Sequence, residues 1–241
     1  MSRHTFRRQA EVHPGHRQVG GGLARAAVFG MSDGLTSNVL LVIGFAGSGV
    51  DASVVRLAGI AGAVAGAVSM GTGEWISISA QNELVTRELE VERRELGRNT
   101  ESEQRELEEM YIEHGMQTAT AQQAAADVMR DHDRALAVHA REEFGIDPHD
   151  LPSPMQAALL SFVCFIVGAV LPVIPWLGGS GTSATVASVI IGVLAAAALG
   201  WSIGQFAERN RVRSAARQVI ILLVACVVTY SIGKALGVQV S

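Results

Sequence analysis

Three side chains in apolar stretches of this chain have the chemistry to handle a cation. Asp33 stands in Gly30-Met31-Ser32-Asp33-Gly34, and Met70 and Glu74 stand in Ser69-Met70-Gly71-Thr72-Gly73-Glu74-Trp75. An ionisable group at membrane depth is costly and marks an ion path or a proton relay. Met70 and Glu74, four residues apart, share a helix face. Asp33 lies about eight residues, ~12 Å, inside its apolar stretch, and Met70 about ten residues, ~15 Å, inside the next, at 1.5 Å per helical residue. A carboxylate and a thioether can thus meet at one level. Hard oxygen with soft sulfur suits a borderline divalent metal such as Fe²⁺ or Mn²⁺ better than Na⁺ or Mg²⁺. A lone Met equally suits gap-filling or lipid-facing packing.

A second set is acidic and polar in context. Glu92-x-x-Glu95 and Glu103-x-x-Glu106 repeat a spacing of three, which puts each pair on one helix face. On one unbroken helix all four fall within an arc of roughly 80°, from 3.6 residues per turn. With a corner at 97–100 they become two facing pairs. Either arrangement concentrates negative charge that cations or water must offset. The same spacing also describes a solvated helix with Glu/Arg pairing, in which Glu103 is only a capping residue.

The elements that must position these groups follow from hydropathy. Of 241 residues 49% are apolar, the mean hydropathy is +0.29, and the charge sits in blocks. Runs near 25–47, 55–80, 155–177, 183–207 and 215–236 are each about 20 residues or more, enough to cross a ~30 Å hydrocarbon core. The expected fold is therefore an all-α membrane protein of five transmembrane helices. The first 22 residues are polar and basic, unlike a signal peptide. Arg3, Arg7, Arg8, Arg17 and Arg25 before the first span, with Arg209, Arg211 and Arg213 between the fourth and fifth, place the N-terminus in the cytoplasm. The net charge of −4 hides an acidic block at 83–150 among basic flanks, and no basic surface for nucleic acid is expected. Cys164 and Cys226 fall inside apolar spans and read as small buried hydrophobes.

Four regions result: a cytoplasmic N-terminal segment (1–24), a transmembrane hairpin (25–80), a cytoplasmic helical insert (81–151) and three further spans (152–241). No breaker follows Gln81, so span two should run on into the insert as a rod, weakened at Gly97 and Asn99. Thr100-Glu101-Ser102-Glu103 has the form of a capping box opening a fresh helix. A further helix is expected over 119–144, ending at Gly145. Gly62 and Gly66 in span two, and Gly192, Ala196, Gly200 and Gly204 in span four, are small-xxx-small patterns that let helices touch. Pro172 and Pro175 should kink or end span three.

These motifs, in this order from about Arg25 to Gly237, resemble the vacuolar iron transporter family, which includes the yeast vacuolar iron/manganese carrier and plant nodulin-like transporters. The resemblance rests on Ser32-Asp33-Gly34-Leu35, Ser69-Met70-Gly71-x-Gly73-Glu74-Trp75, the Glu-rich insert, Ile174-Pro175 near the end of span three, and five spans. It implies a homodimer in a lipid membrane that moves Fe²⁺, and often Mn²⁺, out of the cytosol in exchange for protons, with no prosthetic group. It implies that Asp33 and Met70 line the path, and that the insert gathers metal through Glu92, Glu95, Glu103, Glu106 and Glu143. His139 stands where the family pattern has a Met four residues before that last Glu, which keeps a borderline ligand and makes binding pH-dependent. Gly20-Gly21-Gly22 replaces an acidic residue that some relatives carry before span one. On this reading Glu74 accepts protons, and the membrane of a bacterial owner is the plasma membrane.

Two other readings stand beside it. Gly30-x-Ser32-x-Gly34 fits the serine-hydrolase nucleophile pattern, which needs a strand-to-helix elbow and a His base; the histidines at 4, 13, 16, 114, 132, 139 and 149 all lie outside the spans. A metal-binding insert could also serve a sensor or store that transports nothing.

Overall fold

A computed structural model describes residues 22–237; among them are helices, turns and connections and no strand. The expected first span is α1 (Gly22–Gly47) and the second is the start of α2 (Ala52–Arg98). The third comprises α6 (Pro154–Val170), a 3₁₀ turn (Leu171–Val173) and α7 (Ile174–Gly178); the fourth and fifth are α8 (Gly181–Phe206) and α9 (Arg211–Leu236). Five stretches have the length and hydropathy to cross a membrane. The 3₁₀ turn carries Pro172, and Pro175 opens α7, so the expected kink is present without ending the span. Arg3, Arg7, Arg8, Arg17 and the Gly20-Gly21 stretch lie outside the described residues.

The hub is α1. Its Leu35, Val39 and Ile43 pack against Ala196 of α8 and Leu222 and Cys226 of α9, while Val42 packs with Val55 of α2 and with Val173 and Trp176. Outward, Leu57, Val64 and Val68 on α2 and Ile220, Val224 and Val227 on α9 are exposed, as apolar residues facing lipid would be. The tightest crossing joins α1 to α6. A Cβ on Gly34 would stand 2.2 Å from the Phe165 carbonyl oxygen, one on Gly30 2.6 Å from that of Ser161, and one on Gly168 2.4 Å from that of Met31. Backbones in such contact admit no larger residue, and this crossing fixes the part of α1 that bears Asp33. In α8, Gly192, Ala196, Gly200 and Gly204 are all buried, as their spacing requires.

The expected rod is real. α2 runs 47 residues, ~70 Å at about 1.5 Å per residue, roughly twice a ~30 Å hydrocarbon core. Its polar end carries a helical cap of α3 (Thr100–Glu113), α4 (Thr118–Met129) and α5 (His132–Glu143). Leu96 of α2 packs with Ala135 and Leu136 of α5. Two sequence expectations need correction. The helix expected over 119–144 is two helices, because Asp131 interrupts it: its Oδ1 accepts from the backbone N–H of Asp133 (3.1 Å) and of Arg134 (3.2 Å) and so starts α5 afresh. The capping box does not form either. Asn99 is the N-cap of α3 with no side-chain bond, and Thr100 Oγ1 donates back to the Leu96 carbonyl (2.8 Å), closing α2 instead.

Candidate metal sites

Between α1 and α2 lies a cleft of about 500 Å³ whose lining includes Asp33, Met70 and Glu74, with Ser37, Asn38 and Phe165. Asp33 and Met70, paired by depth, and Glu74, paired with Met70 by spacing, thus line one cleft. The spacing that made this possible is local: Met70 and Glu74 stack one turn apart on α2, and the contact of Gly30 and Gly34 with α6 fixes the turn of α1 that carries Asp33. Asp33 is exposed, and the Ser37 hydroxyl donates to its backbone carbonyl (2.6 Å) rather than to its carboxylate. Glu74 is engaged: Arg25 Nη2 donates to its Oε1 at 3.0 Å, with the Glu74 side chain 14% exposed and that of Arg25 62%.

The second cluster is in the cap, ~33 Å along α2 from Met70 to Glu92 at about 1.5 Å per residue. Glu92 of α2, Glu103 of α3 and His139 of α5 are all buried, and each offers a ligand atom within 4.8 Å of the others. The corner at Asn99 makes this possible by folding α3 back so that Glu103 faces Glu92. His139 Nδ1 lies 3.1 Å from Glu143 Oε1 in hydrogen-bonding geometry, and 3.3 Å from Glu92 Oε1 without it. His139 Nε2 and Glu92 Oε1 are buried with no hydrogen-bond partner. Glu95 and Glu106, the outer members of the two acidic pairs, are exposed and outside this close group.

Burial pushes the Glu92 carboxyl up to about 7, and the charges of Glu143, Glu103, Glu95 and Glu106 add to that rise. The Glu103 carboxyl is also raised, by burial first and then by Glu106, with His139 opposing. All six insert residues therefore share one electrostatic neighbourhood. Glu92 can thus hold a proton near neutrality unless a cation replaces it. Two carboxylates and an imidazole with an orphaned ring nitrogen suit a borderline divalent ion.

Two participants escaped the sequence reading. Asn38 was legible only as a polar residue within an apolar run; Arg25, counted there as an orientation signal, is the partner of Glu74. Ser32, by contrast, sits within continuous α1, where no elbow exists. That removes the hydrolase geometry, and Gly30 and Gly34 serve the α6 contact instead.

Comparison with known proteins agrees. The VIT family model matches residues 24–234. "Vacuolar iron transporter 1" of Eucalyptus grandis is 27% identical over 229 residues, covering 95% of this chain and 92% of its own length. "Vacuolar iron transporter" of Toxoplasma gondii is 29% identical over 236 residues, covering 93% of this chain and 78% of its own, and that of Acanthamoeba castellanii 35% over 153 residues, 64% and 55%. These relatives are named as transporters, not enzymes. With five spans and a family match over nearly its whole length, this multi-pass integral membrane protein belongs to the VIT family.

Proposed function

We propose that this chain carries Fe²⁺ or Mn²⁺ out of the cytosol in exchange for protons, working as a homodimer with its N-terminus and helical cap in the cytoplasm. In a bacterial cell the membrane is the plasma membrane. The observation that carries the reading is the cleft that gathers Asp33, Met70 and Glu74 between α1 and α2. The names of the relatives supply the cargo class.

The cap collects the ion. Glu92, Glu103 and His139 hold it, with Glu143 orienting His139 and Glu95 and Glu106 drawing cations inward. A cation bound there displaces the proton that burial, with the neighbouring charges, favours on Glu92. In the membrane, Asp33 and Met70 take the ion at one level and Glu74 takes protons, so metal and proton compete for one acidic cleft. Asp33 is exposed within a span whose outer faces are largely apolar, and a carboxylate facing hydrocarbon is costly. A second copy across α1 and α2 would enclose it, which supports the dimer.

The test is Fe²⁺ and Mn²⁺ uptake into proteoliposomes loaded with a pH dye under an imposed proton gradient. Metal flux with opposite proton movement is the expected result. Metal bound by the cap without flux of either ion would instead make the protein a sensor or store.

A further inference from the structure

Asn38 lies on α1 five residues beyond Asp33, ~7.5 Å farther from the cap at about 1.5 Å per residue. It is 2% exposed and lines the same cleft. Its amide nitrogen donates to the Gly59 carbonyl of α2 (3.0 Å) and to the Ala169 carbonyl of α6 (2.5 Å). Both N–H groups are therefore used, and turning the amide over would set its oxygen against two carbonyl oxygens, neither of which can donate. Oδ1 is fixed by this pinning, and it is a buried acceptor without a hydrogen-bond partner. It is directed toward Gly62, another lining residue of the cleft, where an added Cβ would stand 3.0 Å from it.

The geometry points to Asn38 Oδ1 as a further ligand of the transported divalent cation, a neutral oxygen that receives the ion beyond Asp33 and Met70. This rests on the transport reading above. An amide oxygen suits that place for two reasons. It is a hard donor that favours Mn²⁺ or Fe²⁺ over softer ions. It also carries no charge or titrating proton, so it can share the cation with Asp33 without holding it against release, as multi-site conduction requires. The pinning to α2 and α6 further means that the oxygen keeps its position without the ion, which lowers the ordering cost of binding.

The experiment measures Mn²⁺ and Cd²⁺ uptake by the full-length protein in proteoliposomes, native and as Gly62→Ala, Asn38→Ala and Asn38→Cys. Gly62→Ala covers Oδ1 with a methyl while leaving both pins intact. It displaces the far end of Leu41, whose Cδ2 would be 2.4 Å from the new Cβ, and crowds Oδ1 itself at 3.0 Å, while Ala is the better helix former. The Mn²⁺ KM should rise about tenfold in Gly62→Ala, the low end of what loss of a group supporting a metal site costs. Asn38→Cys, relative to Asn38→Ala, should shift preference toward Cd²⁺ by a similar factor, because sulfur replaces oxygen. An unchanged Mn²⁺ KM in Gly62→Ala overturns the assignment whether or not the Asn38 variants fold. So does an identical Cd²⁺/Mn²⁺ ratio in native, Asn38→Ala and Asn38→Cys proteins, since a purely packing role would affect both ions alike. Native protein without any flux overturns the transport reading and this ligand with it, whereas native flux with unresponsive variants overturns the ligand alone.

Discussion

In the cap, Glu92, Glu103 and His139 come from three different helices, are all buried, and converge within 4.8 Å. In the cleft, Asp33, Met70 and Glu74 come from two helices, Asp33 is exposed, and Glu74 is already paired with Arg25. The cap buries and crowds like charge, which raises the Glu92 carboxyl to about 7; the cleft spaces its charges between two helices. On the proposed reading a site of the first kind would hold a cation, with its affinity set by how much repulsion the ion relieves. A site of the second kind binds weakly enough at each point for the ion to leave. The two regions use similar ligands, and burial and crowding divide their work.

The comparison breaks most sharply at Asp33. Asp33→Asn keeps size and helix packing but removes the one carboxylate in the middle of the cleft, so flux of Fe²⁺ and Mn²⁺ should be lost. Equilibrium metal binding by the cap should stay native, because that cluster is ~33 Å along α2 at about 1.5 Å per residue. Residual native flux would show that the cleft is not the path. Next in size, Glu92→Gln removes a buried ligand that faces both Glu103 and His139. Cap affinity for Mn²⁺, read by calorimetry on the full chain, should fall at least about tenfold, roughly 1.4 kcal/mol. Uptake should weaken at low metal and recover at saturating metal. A loss of maximal flux as large as that of Asp33→Asn would erase the distinction between holding and passing.

Much of this division is legible in the sequence, unevenly. The rod of α2 is readable because nothing between Gln81 and Leu96 breaks a helix, and the paired Glu spacing indicates a polar cluster. Which Glu residues are buried is not readable. Glu92 and Glu103 turn inward only because Asn99 folds α3 back, with backbone angles of φ −127° and ψ 39°, and no local propensity announces that corner's direction. The break at Asp131 was missed because the residues around it are helix formers, and a single side-chain cap outweighed them. In the membrane, depth counting put Asp33 and Met70 at one level, and both line the same cleft. It said nothing of Gly30 and Gly34 as the α6 contact, since that depends on carbonyls of Ser161 and Phe165 more than 125 residues away. Asn38 was overlooked for a related reason: its importance lies in carbonyls of Gly59 and Ala169, which belong to other helices.

The cap also carries a pH signature of its own. With the Glu92 carboxyl raised from 4.5 to about 7, the native state holds a proton that the unfolded chain releases across that interval. Stability from this group is full below about 4.5, declines as pH rises toward 7, and is flat above. The decline is on the order of 3 kcal/mol, at about 1.4 kcal/mol per unit. In chelated full-length protein, the protection of α3 and α5 amides relative to their intrinsic exchange rates should be greater at pH 5 than at pH 8, and Mn²⁺ should restore protection at pH 8. Glu92→Gln should shrink the slope to the part contributed by Glu103, whose carboxyl is also raised. A slope of the opposite sign would mean that the crowded carboxyls are stabilised as anions, and the cap would then need no cation.

The smallest effect is expected at Arg25. Its pairing with Glu74 at 3.0 Å is partly exposed, and ion pairs of that kind contribute about 0.2–1 kcal/mol. The pair nonetheless occupies the carboxylate at the cap-side end of the cleft, so an arriving cation must displace a guanidinium. Arg25→Gln removes the competitor while keeping a polar side chain. The Mn²⁺ KM for uptake should fall by up to about fivefold, the equivalent of roughly 1 kcal/mol, with cap affinity unchanged. A higher KM would mean that Arg25 positions Glu74 for the ion instead of competing with it. The cleft would then share with the cap the property of being organised before metal arrives, and the contrast between the two regions would rest on charge density alone.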